Sequence, residues 1–252
     1  MRIKSKTLFG WLALLVLIAL AWPAFQGSDR DLDSVGSFLH FFVRFFPPDF
    51  SDGQELLNGL IETAQIGFLA TVIAAVLSLG LGLLGGPWVH RSGQFSVLSL
   101  FALIRSVPSL VWAVIAVAAV GPFPRAGVIA LTFYSIGYLG KFLLDDLRTL
   151  NMDLTRMYLR WGLSPLWSFY LGFWPQLKAR YLAHCVWMLE YNIRSAAIIG
   201  YVGAGGLGLR LHAYQEYGQW RRFCAVLIMI LAIVLLFEIV SRFQGRPKRR
   251  AN

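Results

Sequence analysis

Apolar residues in this chain gather into runs of bilayer length, and that feature excludes most soluble architectures. Six such runs occur, Leu8 to Phe25, Leu56 to Gly85, Phe95 to Val120, Arg125 to Leu144, Leu177 to Val202 and Phe223 to Val240. A helix crosses the hydrocarbon layer with about 20 mostly apolar residues. The runs predict an all-α integral membrane protein with about six transmembrane helices. Only 14% of the 252 residues are charged, against about 25% in soluble domains. No part of the chain reads as a soluble catalytic domain.

The net charge of +10 raises the question of nucleic acid. Nucleic-acid binding needs a basic face in water. Here the basic residues stand at the ends of apolar runs, as Arg2, Lys4 and Lys6 and as Arg246, Lys248, Arg249 and Arg250. This distribution argues against a nucleic-acid partner and for a lipid one. It follows the positive-inside rule with both termini cytoplasmic.

The runs divide the chain. Residues 1–25 form an N-terminal transmembrane helix, retained because the run is long for a signal peptide and no small-x-small cleavage site follows. Residues 26–55 are acidic, with Asp29, Asp31, Asp33, Asp49, Asp52 and Glu55, and fit the periplasmic side. Within them Phe38 to Phe46 is aromatic and too short to span. It reads as an interfacial helix that Pro47-Pro48 ends. Residues 56–240 form the core, and 241–252 a basic cytoplasmic tail. Gly59, Gly67, Gly80, Gly82 and Gly85 in the second run predict a helix packed in protein, because small residues let backbones approach in lipid. The third run contains Arg105 and Pro108 early on, and Arg105 either lines a path or, the preferred reading, snorkels to the interface. Gly203 to Trp220 reads as a glycine-rich and then polar connection outside.

Residues 147–176 are amphipathic and punctuated. Asn151 or Asp153 caps a short helix, and Gly162 ends it in a left-handed conformation. Ser164 and Pro165 supply the cap and first turn of a second helix. The product is a helix-turn-helix on the cytoplasmic side, with Arg156 and Arg160 as its basic residues.

Candidate sites are sparse. Gly200 to Gly208 resembles a phosphate-cradling loop, yet no Gly-Lys-Ser/Thr follows and no strand precedes it. It reads as a broken or sharply turning helix end. Glu190 and Arg194 are four apart and can pair on one face. Intramembrane charges of this kind either line a path or fix packing. The histidines are scattered, and Cys185 and Cys224 show no metal or redox spacing.

The punctuated segment resembles the cytoplasmic loop of ATP-driven importer permeases. That loop begins Glu-Ala-Ala, has Gly a few residues on, and ends near Leu-Pro. Arg156-Met157-Tyr158, Gly162 and Trp174-Pro175 stand at those places, so the spacing is kept and the acidic start is not. Asn192-Ile193-Arg194-Ser195-Ala196, the Gly200 to Gly208 run and Phe46-Pro47-Pro48-Asp49-Phe50 are similar to phosphonate-type permeases over about residues 46–240. Methionine-type permeases share the Gly-Ala-Gly-Gly-Leu-Gly piece.

The resemblance implies a type I ABC importer permease of the bacterial inner membrane. It implies a homodimer, two ATPase subunits and a periplasmic substrate-binding protein. The cargo would be a phosphonate, phosphite or hypophosphite. It implies no cofactor in this chain and no enzyme activity of its own, with ATP and Mg held by the partner. Coupling falls to Asp153, Arg156, Arg160, Gly162, Ser164, Pro165 and Pro175. A path or gate falls to Glu190, Asn192, Arg194, Ser195, Gly203, Gly205 and Gly206. The alternatives are a permease for another solute such as methionine, an ATP-independent channel, or a scaffold without a path.

Overall fold

The computed structural model describes residues 5–25, 34–86 and 88–244, and all regular structure among them is helical. The chain divides into two units, residues 1–44 and 45–252. Asp29, Asp31 and Asp33, and the tail from residue 245 on, lie outside the described residues.

In the first unit, α1 (Ser5–Phe25) leaves its large side chains from Trp11 to Trp22 uncovered by protein. The helix α2 (Ser34–Phe45) carries the aromatic stretch, with Leu39, Phe41, Phe42 and Val43 uncovered.

The second unit is organised on three long helices. They are α3 (Gly53–Leu83), α6 (Pro124–Thr149) and α9 (Trp174–Ile199). At about 1.5 Å per residue, even the shorter two exceed the ~30 Å hydrocarbon layer. The small stripe expected on α3 is buried except at Gly80, which is exposed. Gly59, Thr63, Gly67, Thr71, Ala74, Ser78 and Gly82 are all buried, while Leu57, Ile61, Phe68, Val72 and Val76 are not. Both faces are apolar or nearly so, and side-chain size rather than polarity distinguishes protein from lipid. A Cβ on Gly67 would sit 3.0 Å from the backbone of Ile193, so only glycine allows this α3–α9 approach.

Side-chain neighbours set the directions. Ile66 meets Gly127 and Leu143 meets Gly82, so α3 and α6 run parallel. Thr71 meets Asn192 and Ser78 meets Tyr181, so α9 runs antiparallel to both. The central element is α6: 67% of its most apolar window is buried, against 39% for α3.

The third apolar run departs from the expected straight span. It is two helices, α4 (Arg91–Ser106) and α5 (Ser109–Val120), bent by 84°. Pro108 has no amide to continue α4, and it drives Val107 to extended angles of φ −91° and ψ 122°. The carbonyl of Ile104, deprived of that amide, accepts from Trp112 Nε1 at 3.3 Å. Freed backbone groups at membrane depth are re-satisfied in this way.

The stretch after Gly203 also departs from expectation, because most of it is helical. A five-residue π-turn (Gly200–Ala204) leads into α10 (Gly206–Glu216), and α11 (Trp220–Gln244) closes the unit. Between α6 and α9 lie two eight-residue helices, α7 (Asp153–Arg160) and α8 (Pro165–Gly172).

Candidate translocation and docking sites

The seven residues of the punctuated segment are laid out along α7, the turn, and the starts of α8 and α9. The N-cap of α7 is Met152, without a side-chain capping bond, in place of the expected Asn151 or Asp153. Asn151 Oδ1 accepts from the amide of Asp153 at 2.8 Å from one residue further out, and Asp153 opens the helix. Gly162 has φ +83°. Leu163 N–H donates to Tyr158 O at 3.2 Å and Gly162 N–H to Leu159 O at 3.1 Å, the paired bonds of a Schellman stop. Ser164 Oγ accepts from Trp167 N at 3.4 Å, and Pro165 follows in the first turn. Pro175 sits in the first turn of α9. The helix pair is locked where Gly172 passes Thr155, since a Cβ there would lie 2.2 Å from Thr155 Oγ1.

Arg156 and Arg160 are exposed and line an open depression of about 370 Å³ with Asp153, Met157 and Trp161. No carboxylate among the described residues pairs with either arginine. Trp161, Trp167, Tyr170 and Leu159 are exposed around them. A second cleft of about 400 Å³, walled mainly by Leu83, Trp88, Leu159, Phe169 and Phe173, separates this pair from the end of α3. A basic and apolar surface of this kind suits a protein partner better than water.

The mid-span residues fall into two groups. Asn192 is fully buried, with Nδ2 donating to Thr71 Oγ1 at 2.9 Å and Oδ1 accepting from Ser135 Oγ at 3.0 Å. It therefore joins α3, α6 and α9. Ser195 is buried beside it on α9. The structure separates both from Arg194, which is half-exposed and bonds Glu190 Oε1 at 3.1 Å. Asn192 spends its amide on these helix contacts.

Gly203, Gly205 and Gly206 have φ of +96°, +84° and +70°. Their turn is wedged between Pro122 and Pro124 at the α5–α6 corner and Glu62 and Thr63 of α3. Thr63 Oγ1 accepts from Leu207 N at 2.9 Å and donates to Gly59 O at 2.8 Å, which satisfies the first amides of α10. Gly205 and Gly206 are buried at this corner, and Gly203 is partly exposed.

Sequence reasoning did not select the aromatic ladder between α6 and α9. Tyr134 and Tyr191 stack at 5.2 Å and share a hydroxyl bond of 2.9 Å. Tyr138, Trp187, Phe142 and His184 continue the row. It ends where His184 Nε2 meets Asp146 at 3.1 Å and Arg180 meets the same carboxylate at 3.8 Å. The i, i+4 spacing of Tyr134 and Tyr138, matched by Trp187 and Tyr191, was the available signal.

Arg105 joins this row through the Tyr138 ring. Its guanidinium carbon lies 5.4 Å from the Tyr138 ring centroid, and its Nε is buried without an acceptor. A charge at the bilayer centre costs about 2.5–3.5 kcal/mol by insertion scales. A cation–π contact returns about 0.5–2 kcal/mol, so Tyr138 alone does not offset it.

On the opposite end, Arg222 bridges Asp49 (3.4 Å) and Asp52 (3.2 Å), and Tyr214 donates to Asp52 at 2.8 Å. Burial, and then Asp52, push the Tyr214 phenol up to about 12. Glu55 pairs with Arg210. This clamp ties the start of α3 to α10 and α11.

A broken span, a buried glycine corner and charged groups at mid-depth, with a capped helix pair at one end, define a membrane transport permease. Residues 78–251 match the binding-protein-dependent transport system inner membrane component family, and the chain belongs to it. The chain is 27% identical to the putative phosphite transport system permease protein HtxC of Stutzerimonas stutzeri, over 90% of this chain and 82% of that one. It is 29% identical to the phosphite transport system permease protein PtxC of the same organism, over 90% and 83%. In fold it is similar to a chain of the MetNI methionine ABC transporter in its inward facing form, with TM-score 0.62 at 20% identity, covering 74% of this chain and 93% of that chain. The protein is a multi-pass inner-membrane permease subunit with the fold of type I ABC importers.

Proposed function

We propose that this permease carries a small phosphorus oxyanion inward, a phosphite, phosphonate or hypophosphite handed over by a periplasmic binding protein. The observation that supports it most is the likeness to two phosphite permeases over nine-tenths of the chain. In this reading a second permease subunit, a further copy of this chain, faces the first across the path. Two ATPase subunits dock on α7 and α8 through Arg156, Arg160 and the exposed aromatic residues, with both termini on the same, cytoplasmic side. ATP and Mg are bound and consumed there. Closure of the ATPases pushes α7–α8, the packed Gly172–Thr155 contact makes the two helices move together, and α8 passes the motion to α9 directly through Phe173. The Glu190–Arg194 pair, open on one side, borders the path, while Asn192 holds the three helices in register. The glycine corner at Gly203, Gly205 and Gly206 serves as the hinge of the outer gate.

The test is capture of the tagged full chain from native membranes in mild detergent, with mass spectrometry of what stays bound. An ATPase subunit and a binding protein that binds phosphite are expected. A different permease chain at equal stoichiometry would replace the homodimer with a heterodimer. A preparation stable without any ATPase would favour an ATP-independent channel.

A further inference from the structure

We propose that Arg105, laid on the ring of Tyr138 at mid-membrane, is the residue that binds the phosphorus oxyanion during its passage. This inference rests on the cargo reading above and assigns that cargo a binding residue.

Depth comes first. Gly137 stands near the middle of the 26-residue α6, and the Arg105 stem crosses it: a Cβ there would lie 2.8 Å from Arg105 Cγ. The same Cβ would lie 3.2 Å from Phe101 O, so α4 is pressed onto α6 at this point. Glycine makes room for the stem, and the stem delivers the guanidinium to Tyr138. The α4–α5 bend follows two residues later, so the charge sits where the span is broken.

Charge comes second. Several other cations along α6 and α9 are answered, while Arg125 and Lys178, each in the first turns of its helix, have no carboxylate partner among the described residues. Lys141 pairs with Asp145, Arg180 with Asp146 and Arg194 with Glu190. Arg105 has no carboxylate partner among the described residues, and its Nε has no acceptor. The Glu190–Arg194 pair is neutral as a unit, so among the described residues Arg105 is the cation beside the middle of α6 that no carboxylate compensates.

Chemistry comes third. Guanidinium presents a planar fork of donors that matches two oxygens of a phosphorus oxyanion. Tyr138 lies against the guanidinium, whose Nε is buried and still lacks an acceptor. Trp187, beside Tyr138, is 45% exposed, so the row is open on one side.

The test uses the complete complex of permease, ATPase and binding protein in proteoliposomes, with phosphite as probe. Arg105→Gln removes the charge, and Arg105→Met keeps an apolar stem across Gly137. We expect either variant to assemble and hydrolyse ATP within about twofold of wild type, and phosphite uptake to fall by about tenfold or more. Uptake at the wild-type level in an assembled Arg105→Gln or Arg105→Met complex would overturn the inference. Failure of both variants to assemble would also overturn it, since Arg105 would then be a brace between α4 and α6. A wild-type complex that imports none of phosphite, methylphosphonate or phosphate would remove the cargo reading itself.

Discussion

Gly162 and Gly80 are both open to substitution on space alone, since a Cβ at either would touch nothing within 4 Å. They differ in backbone. Gly162 holds φ +83° at the end of α7, where a side chain is strained by about 1–2 kcal/mol. Gly80 is inside α3, where alanine gains up to about 1 kcal/mol over glycine. Thermal unfolding of the purified complex should therefore move in opposite directions for Gly162→Ala, downward, and Gly80→Ala, upward or unchanged. A shared direction would mean that these sites respond to something other than local backbone preference. Residue-level signals of this kind were legible in the chain: Gly162, Ser164 and Pro165 mark a stop and a start because caps depend on near neighbours.

At the scale of elements, α7 and α8 are two-turn helices, too short to stand alone in water. Their caps and the Thr155–Gly172 contact hold them, and their outer face stays uncovered. Arg156 and Arg160 are four apart, exposed and unpaired, so reversing both charges leaves the helix pair intact. The double change Arg156→Glu and Arg160→Glu should reduce ATPase recovered with the permease by about tenfold, through lost electrostatic complementarity. Circular dichroism should stay unchanged. Undiminished ATPase recovery would take the docking role away from this face. The α4–α5 pair shows the limit of reading elements from hydropathy. Pro108 was visible, but an 84° bend depends on what Trp112 and α6 offer to the broken end.

Across the second unit, the frame is α3, α6 and α9, and the clamp at the start of α3 fastens α10 and α11 to it. Asp49 titrates below its ordinary value of 3.8, chiefly because the Ser51 amide donates to it and then because Arg222 lies beside it. A folded value below the unfolded one stabilises the fold at pH above the unfolded value. That contribution disappears as the pH falls through the folded value. Between about pH 5 and about pH 2, the melting temperature of the wild type should fall more steeply than that of Asp49→Asn. Parallel falls would show that the clamp carries no titrating share of stability.

The sequence by itself determined the membrane-spanning class, the small-residue face of α3 and the capped helix pair. Each follows from composition or from residues within a few positions of one another, and the bilayer leaves helices as the way to satisfy their backbones. Only the tertiary structure decided that α3 and α6 run parallel, that Asn192 is spent on Thr71 and Ser135, and that Arg105 crosses Gly137 to reach Tyr138. In lipid, hydropathy does not say which side of a helix meets protein, because both sides are apolar. Contacts between residues far apart in the chain then decide which polar groups satisfy one another and which remain free to meet a cargo.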